Sequence, residues 1–400
     1  MAIRYPKAKF LLLCLSMSCG AGVAASASGA DGLDGWRNGV KVSPVLDQTE
    51  CHSVHSYFNT SPESPDGTRL ILYRSTAANA HEGEVCVVDR STGTIKVLAS
   101  NVVVEDVHRV ACQQWVLGGR SVVFHDLRDG EWCVVEIDVE SGKERVLTTG
   151  RQVGWGQAEG DIVPLYGPHW EPGEHRDLEL LNVRTGEVST AVTIDATKEA
   201  YPDWFSRQFS DSPTSIFFPI LSPDMKRVFF KIASAAGGGF RSSAGSRRYG
   251  VFCYDLDEKR FLYMHGKWGH PAWAPDSRRI ANIWGSRPVL IDCETGTVEA
   301  NRELPAFPGA HPALSPDGQL FVVDTRSESF GGDKNEWAIV VGSLKSGEHV
   351  FVHRFDNSQG ARSWRKAHPH PVFSPDGRRI YFNVSSGPWT QLYVARMPLR

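Results

Sequence analysis

A short turn motif, Ser-Pro-Asp-Gly or a close variant, recurs along the chain and constrains the fold more than any other feature of the sequence. Five copies occur, with their Asp residues at Asp66, Asp224, Asp276, Asp317 and Asp376. Proline presets one backbone torsion, Asp bonds its own backbone, and glycine takes the positive φ that closes the bend. An apolar run follows each copy, as in Arg379–Val384. The motif therefore predicts one β-hairpin, repeated along the chain.

The interval between the first two copies has room for two more units. Degenerate copies lie there, at residues 117–124 and 159–165, which makes seven units in all. A second turn, such as Ser91-Thr-Gly-Thr94, falls inside most units after an alternating apolar run, and no long amphipathic helix is indicated. The pattern predicts an all-β protein, a seven-bladed β-propeller of four-stranded antiparallel blades. A β-sandwich with appended domains is the alternative, but it does not explain the period.

The two ends of the repeat region fit one closed ring. The last unit is short of a strand after residues 391–395, and residues 39–45, ahead of the first unit, are suited to supply it. We therefore predict that residues 31–400 form a single propeller domain closed by an N-terminal strand. Residues 194–216 and 233–248 exceed the repeat, and long loops on a rigid scaffold often form binding surfaces.

Residues 1–30 have the features of a signal peptide. Arg4, Lys7 and Lys9 precede a short apolar run, and residues 21–30 are rich in small side chains. The sequence thus predicts a periplasmic or secreted protein, and no later apolar run is long enough for a membrane helix. Export permits disulfides, but the later cysteines lack C-x-x-C spacing and most lie in apolar runs, which favours buried thiols.

The charge balance argues against two classes of partner. The 43 Lys and Arg residues nearly match the 46 Asp and Glu residues, and the formal net charge is −3. This balance gives no electrostatic basis for binding nucleic acid or an anionic membrane. The 12 Trp residues are many, and aromatic rings commonly stack on sugars, although Trp is also a core residue.

Three histidines share one place in the repeat. His270, His311 and His370 each lie six residues before the motif Asp, and each is followed by proline. Because equivalent residues of successive blades take equivalent places around the axis, these imidazoles are predicted to converge on the central channel, where His368 adds a fourth. Convergent imidazoles predict a site for a borderline divalent cation such as Zn²⁺ or Mn²⁺. The simpler alternative is that each His-Pro pair only caps the start of a strand.

Other polar residues are less constrained by the repeat. His52 and His55 fall near the channel end of the first unit, whereas His108 is expected on a strand or at the rim. Arg247 and Arg248 end the long glycine-containing stretch, where they are either a solvated loop or a clamp for carboxylates, which the planar guanidinium fork suits.

The segments around the histidines resemble the oligogalacturonate lyase family of polysaccharide lyases. The resemblance rests on Ala367-His-Pro-His-Pro-Val-Phe-Ser-Pro-Asp-Gly, Gly309-Ala-His-Pro-Ala-Leu-Ser-Pro-Asp-Gly, Gly269-His-Pro-Ala-Trp-Ala-Pro-Asp, and Cys51-His52 with Tyr57-Phe58. It implies a seven-bladed propeller that cleaves uronic-acid oligosaccharides by β-elimination at a Mn²⁺-type site, with Zn²⁺ or Ca²⁺ as alternative ions. By matching motifs, it implies the metal ligands His311, His368 and His370 and the proton-abstracting base His270.

The resemblance also implies an arginine that neutralises the substrate carboxylate. Arg248 or Arg247 is its counterpart here, and we assign Arg248 to the catalytic set. His52, Arg365 and Arg247 are assigned to substrate binding. The family pattern has a glutamine ligand three residues before the His-Pro-His-Pro pair, whereas this chain has Arg365 at that place.

The sequence therefore predicts an exported polysaccharide lyase that acts on an acidic, uronate-containing oligosaccharide. The proton α to a uronate carboxylate is weakly acidic, so a metal or an arginine must neutralise the carboxylate while a base such as histidine removes the proton. Two alternatives stay open. One is an ulvan-type uronate lyase, because many oligogalacturonate lyases work inside the cell; the other is a non-catalytic propeller that serves as a periplasmic binding scaffold.

Overall fold

Each predicted repeat unit forms one four-stranded sheet. The computed structural model describes residues 32–48, 50–210, 212–267, 269–309 and 311–398. These residues form seven sheets, each with four antiparallel strands, which confirms the predicted seven-bladed β-propeller. The predicted signal peptide, residues 1–30, lies outside the described residues and stays a prediction.

We number the blades in chain order. Blade 1 comprises His52–Val54, Arg69–Ser75, Glu82–Asp89 and Ile95–Val103, and blade 2 comprises Gln114–Val116, Ser121–Arg128, Glu131–Asp138 and Glu144–Thr149. Blade 3 comprises Gln152–Val153, Ile162–Tyr166, Leu178–Asn182 and Val188–Val192, and blade 4 comprises Thr214–Leu221, Arg227–Ala235, Ser246–Asp255 and Arg260–His265. Blade 5 comprises Ala272–Trp273, Arg279–Trp284, Arg287–Asp292 and Val298–Ala300, and blade 6 comprises Ala313–Leu314, Phe321–Arg326, Glu336–Gly342 and His349–Asp356. Blade 7 comprises Val372–Phe373, Arg379–Val384, Gln391–Arg396 and Lys41–Pro44.

The recurring motif forms the turn between the first and second strands of a blade. In blade 7, the Ser374 hydroxyl donates to Asp376 Oδ1 at 2.6 Å, and the Arg378 N–H donates to the same oxygen at 3.0 Å. Gly377 takes a φ of 70°, which favours glycine because it has no Cβ. The same serine-to-aspartate bond recurs at 2.5 to 2.6 Å in the copies with serine in blades 1, 4 and 6. Side-chain bonds therefore explain why Ser and Asp recur together.

Residues 194–216, predicted as a loop, contain two short helices, Ile194–Ala200 and Pro202–Phe209. Thr193 caps the first, because its hydroxyl accepts from the Ala196 N–H, and proline begins the second. The short helices Asp34–Arg37, Leu117–Gly119 and Ser327–Phe330 complete the described elements. Among the described residues, no helix is long and apolar enough to cross a membrane.

The cysteines of the described chain are free and buried: Cys51, Cys86, Cys112, Cys133, Cys253 and Cys293. Burial raises the pKa of the Cys86 and Cys112 thiols to about 12, so both thiols stay protonated at neutral pH. These side chains are small core residues rather than reactive thiolates, which confirms the prediction of buried thiols.

The first and last blades are joined by a strand and by a buried carboxylate. Lys41–Pro44 pairs antiparallel with Gln391–Arg396 and so supplies the fourth strand of blade 7. Glu63 of blade 1, which is 1% exposed, accepts hydrogen bonds from the Arg379 guanidinium at 2.9 and 2.8 Å and from the Tyr381 hydroxyl at 2.5 Å. Charged hydrogen bonds inside a protein are among the stronger polar contacts, so Glu63 holds the seam of the ring.

Replacing Glu63 with alanine is expected to destabilise this seam. The change removes the acceptor of the buried Tyr381 hydroxyl and two hydrogen bonds of Arg379, which keeps its contact with Asp376 at 2.7 Å. We expect the free energy of unfolding to fall by about 2 kcal/mol. Denaturant titration of Glu63→Ala and of Glu140→Ala, a control at an exposed position, measures the effect. Equal stabilities for the two variants would contradict the role of Glu63.

Candidate metal centre

Four histidines from three interblade connections meet at one point. The ligand nitrogens of His108, His311, His368 and His370 lie within 4.8 Å of one another. Ring centroids are 4.6 Å apart for His311 and His370, and 4.7 Å apart for His108 and His368. The fold thus brings together the three histidines predicted as metal ligands and adds His108.

Hydrogen bonds orient two of these rings so that one nitrogen faces the cluster. His311 Nδ1 lies 3.0 Å from both carboxylate oxygens of Asp324, and His108 Nδ1 lies 3.0 Å from the Lys366 carbonyl oxygen. In each ring the Nδ1–H donates, and Nε2 is buried without a hydrogen-bond partner. A metal-binding histidine typically donates its outer N–H to a carboxylate or a carbonyl in this way.

The donor atoms suit a borderline divalent cation. His368 Nδ1 and both ring nitrogens of His370 are also buried without a hydrogen-bond partner. Buried polar atoms normally find a partner, so several unpaired nitrogens at one point favour an ion between them. Neutral imidazoles suit transition metals and Zn²⁺, whereas Ca²⁺ prefers the oxygen ligands that this set lacks.

Asp324 organises the cluster from the second strand of blade 6. Its carboxylate is fully buried and accepts from the backbone N–H of His311 at 2.6 Å and from that of His370 at 3.2 Å, in addition to the His311 ring. One side chain therefore fixes the segments that lead into blades 6 and 7.

His370 adopts an unusual backbone conformation, with a φ of 49°. Its carbonyl oxygen accepts from the ring of His55, whose Nε2 lies 2.7 Å away. Asn383 fixes the same region, because its Oδ1 accepts from the His55 N–H at 3.2 Å. A positive φ in a residue other than glycine costs free energy and is kept where surrounding contacts fix it, often at functional sites. His55 thus helps to hold the backbone of His370 through its hydrogen bond to the His370 carbonyl oxygen.

His108 was not predicted as a ligand because it lies outside the repeat register. Asp106 Oδ1 accepts from the N–H groups of His108 at 2.9 Å and Arg109 at 3.0 Å, and this turn carries the imidazole into the cluster. The only sequence signal is a charged segment, residues 105–109, that interrupts an apolar stretch.

A second common place in the repeat carries buried polar residues. Lys231, Asp324 and Asn383 each lie seven residues after the motif Asp (231 − 224, 324 − 317 and 383 − 376). All three are buried in the second strands of their blades. A buried polar residue at this offset is a signal that an analysis of the histidines alone does not detect.

His270 lies beside the cluster without being one of the four. Its ring centroid is 4.4 Å from that of His311, and its side chain is half-buried. Burial first, and then the electrostatic effect of the neighbouring His311 and Lys231 side chains, hold the pKa of His270 well below its ordinary value. A neutral imidazole in this place is able to accept a proton.

Four basic side chains surround a cavity next to the cluster. The cavity is small, and three aromatic rings line it together with Arg109, Lys231, Arg248 and Arg365. One of these rings, Tyr57, has its centroid 4.5 Å from that of His370, so the cavity adjoins the cluster. We call this the cation pocket.

Two carboxylates partly balance the cation pocket. Glu105 accepts from Arg109 at 2.9 Å and lies 3.9 Å from Arg248, and Asp106 lies 4.0 Å from Arg365. Burial and then the charge of Arg365 lower the pKa of Arg248 to about 10. Among the described residues the pocket holds more cationic than anionic groups, which favours a bound anion.

The remaining predicted site residues do not all lie at one place. Arg248 and Arg365 lie together at the cation pocket. Arg247 is exposed, because successive residues of Ser246–Asp255 point to opposite faces of the sheet. His52 is fully buried, and its contacts are with Trp389 and with the Thr390 N–H rather than with the four histidines.

Replacing Asp324 with asparagine is expected to weaken metal binding about 10- to 100-fold, because the His311 ring loses the carboxylate that sets its orientation and basicity. Calorimetric titration with Mn²⁺ and with Zn²⁺ measures the change. Asp333→Asn, an exposed position before the third strand of the same blade, is the matched control. Unchanged affinity in Asp324→Asn would contradict the assigned role.

The buried histidines also predict loss of stability in acid. Burial lowers the pKa of His52 and His55 to about 4 and that of His125 to about 3, whereas an unfolded histidine titrates near 6.5. Below pH 6.5 the unfolded chain therefore binds more protons, and stability falls as the pH drops towards these folded values. Each such histidine contributes at most about 1.4 kcal/mol per pH unit. Urea titrations at pH 7, 6 and 5 should show the decline, and His125→Leu should reduce its slope; a slope that is unchanged in that variant would refute the assignment.

Comparison with known proteins finds that the chain is similar to oligogalacturonate lyases. The oligogalacturonate lyase of Dickeya dadantii (strain 3937) is 27% identical over 145 residues, which cover 32% of this chain and 37% of that protein. The match therefore spans little more than a third of the curated relative. No family model matches the chain.

Two solved structures share the fold over nearly the whole chain. The oligogalacturonate lyase of Vibrio parahaemolyticus superposes on this chain with a TM-score of 0.64 at 16% sequence identity. The match covers 90% of this chain and 94% of the Vibrio chain. An oligogalacturonate lyase in complex with manganese gives a TM-score of 0.61 at 17% identity, with coverage of 90% and 97%. At such identities the superpositions establish the propeller fold alone. Together with the curated relative, they confirm that this chain resembles oligogalacturonate lyases.

Proposed function

We propose that this protein is a polysaccharide lyase that cleaves uronate-containing oligosaccharides of the oligogalacturonate type by metal-assisted β-elimination. The similarity to oligogalacturonate lyase supports a lyase of this class. We also propose that the protein acts after export, as the signal-like residues 1–30 predict.

One observation carries the proposal: a four-histidine cluster lies directly beside both a neutral histidine and a pocket rich in cations. The cluster and His270 adjoin through His311, and the cluster and the pocket adjoin through Tyr57. β-Elimination next to a carboxylate needs a group that neutralises the carboxylate and a base that removes the α proton. A binding scaffold has no need for this combination.

His108, His311, His368 and His370 would hold the divalent ion. The bound ion would supply Lewis-acid stabilisation of the substrate carboxylate. Arg248 and Arg365 orient the same carboxylate from the cation pocket, because guanidinium groups match its two oxygens. His270 takes the proton from C5, and the electrons of that bond form the double bond between C4 and C5. The bond from C4 to its oxygen breaks, and the departing oxygen keeps the electron pair and gains a proton from water.

In this proposal His108 supplies the fourth ligand that a glutamine supplies in the family pattern. Arg365 stands where the family has a glutamine ligand, and its guanidinium lies near Asp106 and lines the cation pocket. His108 reaches the cluster from another connection and brings the number of imidazoles to four. The metal site is then complete without the glutamine, and Arg365 serves substrate binding.

The activity test is the formation of unsaturated product. The protein is incubated with oligogalacturonate and with ulvan fragments, with added Mn²⁺ or Zn²⁺ and with a chelator, and ultraviolet absorbance of the C4–C5 double bond is followed. We expect product from oligogalacturonate that chelation abolishes. Product from ulvan alone would favour the ulvan-type alternative, and silence on every uronan with either metal would favour a non-catalytic scaffold.

Replacing His270 with asparagine should lower kcat about 10²- to 10⁴-fold, the usual contribution of a general base, while metal affinity stays unchanged. His349→Asn, on the outermost strand of blade 6, is the control for removal of an unrelated histidine. If the asparagine variant at 270 kept full activity, or lost metal together with activity, His270 would not be the base.

A further inference from the structure

An open cleft lies next to the cation pocket and has a volume of about 330 Å³. Its lining residues are Ser243, Ser246, Arg248, Trp364 and Arg365. Arg248 and Arg365 also line the cation pocket, so the two spaces share these side chains. The cation pocket is too small for a sugar ring, whereas the cleft reaches the size of about 300 to 1,000 Å³ that is typical of small-molecule sites. We call this space the outer cleft.

Two distant parts of the chain form the outer cleft. Its serines and Arg248 belong to the long hairpin of blade 4, whereas Trp364 and Arg365 belong to the connection before blade 7. Arg241 anchors the tip of the hairpin, because its guanidinium donates to the Val104 carbonyl oxygen at 2.9 Å. The part of the hairpin that exceeds the repeat is thus tied to another connection, and it forms one side of the cleft.

Trp364 is held in a fixed orientation at the outer cleft. Its Nε1–H donates to the Glu105 carbonyl oxygen at 3.0 Å, and its side chain is half-buried. The polar edge of the indole therefore has its partner, while part of the apolar ring surface lies at the cleft. A sugar ring packs its apolar face on such an aromatic surface, and its hydroxyl and carboxylate groups remain available to polar side chains.

The other side chains of the cleft suit an acidic sugar, and none of those that the structure describes there is acidic. Arg248 Nε donates to the Ser246 hydroxyl at 3.0 Å, and that hydroxyl lies 3.0 Å from His169 Nδ1. The carboxylates beside Arg248 and Arg365 lie 3.9 and 4.0 Å away, which is longer than a hydrogen bond. Because a guanidinium has five N–H donors, both arginines can still donate to a ligand.

We propose that the outer cleft is a second sugar subsite, in which the uronate unit next to the one that is cleaved stacks on Trp364 and accepts hydrogen bonds from Arg248 and Arg365. This proposal rests on the proposed function and deepens it, because it makes the preferred substrate a chain of at least two acidic sugars. The arginines line both spaces, so they contact both units. A single uronate at the metal centre gains nothing from the cleft.

The test compares the binding of one and of two sugar units, which is independent of turnover. Galacturonate and digalacturonate are titrated calorimetrically into the Mn²⁺-loaded His270→Asn protein. We expect digalacturonate to bind about 10-fold more tightly than galacturonate, and we expect Trp364→Leu to remove this gain while the affinity for galacturonate stays unchanged. Trp364→Phe, which keeps an aromatic face without the indole N–H, should retain most of the gain.

Tyr263→Leu is the matched control, because Tyr263 is a half-buried aromatic residue on the outermost strand of blade 4. It should leave the affinity for both ligands unchanged. Thermal denaturation of each variant checks folding, and Trp364→Met replaces the leucine variant if that variant fails this check. Cellobiose, a neutral disaccharide, is titrated in the same way, and an affinity equal to that of digalacturonate would overturn recognition of an acidic sugar.

The outcomes separate this proposal from the proposed function. Equal affinity for galacturonate and digalacturonate with Trp364 intact, or a gain that survives Trp364→Leu, overturns the second subsite and leaves the lyase proposal standing. Equal weakening of both ligands in Trp364→Leu would show that the ring only positions its connection, and a gain lost equally in Trp364→Phe would show that the ring face does not hold the sugar. No binding of either uronate with Trp364 intact, together with no unsaturated product, overturns both proposals.

Discussion

The carboxylate of Asp324 is the contact on which the candidate centre depends. It bonds the backbone of His311, the backbone of His370 and the His311 ring, which lie ahead of two different blades. Without it, these two neighbouring connections would lose a shared contact, and the strained backbone of His370 would depend on the contacts of His55 and Asn383. A buried acid at this point is costly on its own, and the histidine contacts offset that cost.

The ring geometry makes such an anchor effective. Each blade is a sheet that contacts its neighbours, and the segments that lead into the blades approach one another only once the ring is closed. Closure depends on the pairing of Lys41–Pro44 with Gln391–Arg396 and on the contacts of Glu63 with blade 7. The seam between blades 7 and 1 therefore also helps to hold the histidine rings in place, because His370 leads into blade 7 and its carbonyl oxygen contacts His55 next to blade 1.

One short connection, residues 105–109, ties the metal cluster to the cation pocket. It supplies His108 to the cluster, Arg109 to the pocket, and the two carboxylates that the three arginines approach. The cluster offers imidazole nitrogens, whereas the pocket next to it has an excess of basic side chains. Under the proposed function, the ion binds at the cluster and the carboxylate of the sugar binds at the adjoining pocket. An elimination next to a carboxylate requires that the two lie side by side.

The sequence alone determined the propeller and the convergence of His311, His368 and His370, because tight turns and a fixed offset are local properties that repeat along the chain. It also placed His270 next to them. Only the tertiary structure revealed the parts played by His108 and Asp324 and the pocket around Lys231. His108 comes from a connection that does not share the spacing of the repeat. The role of a buried polar residue such as Asp324 depends on its hydrogen-bond partners, which lie in other segments of the chain. Those contacts form only when the seven blades close into a ring. Because the partners are far apart in the sequence, no local sequence pattern shows them.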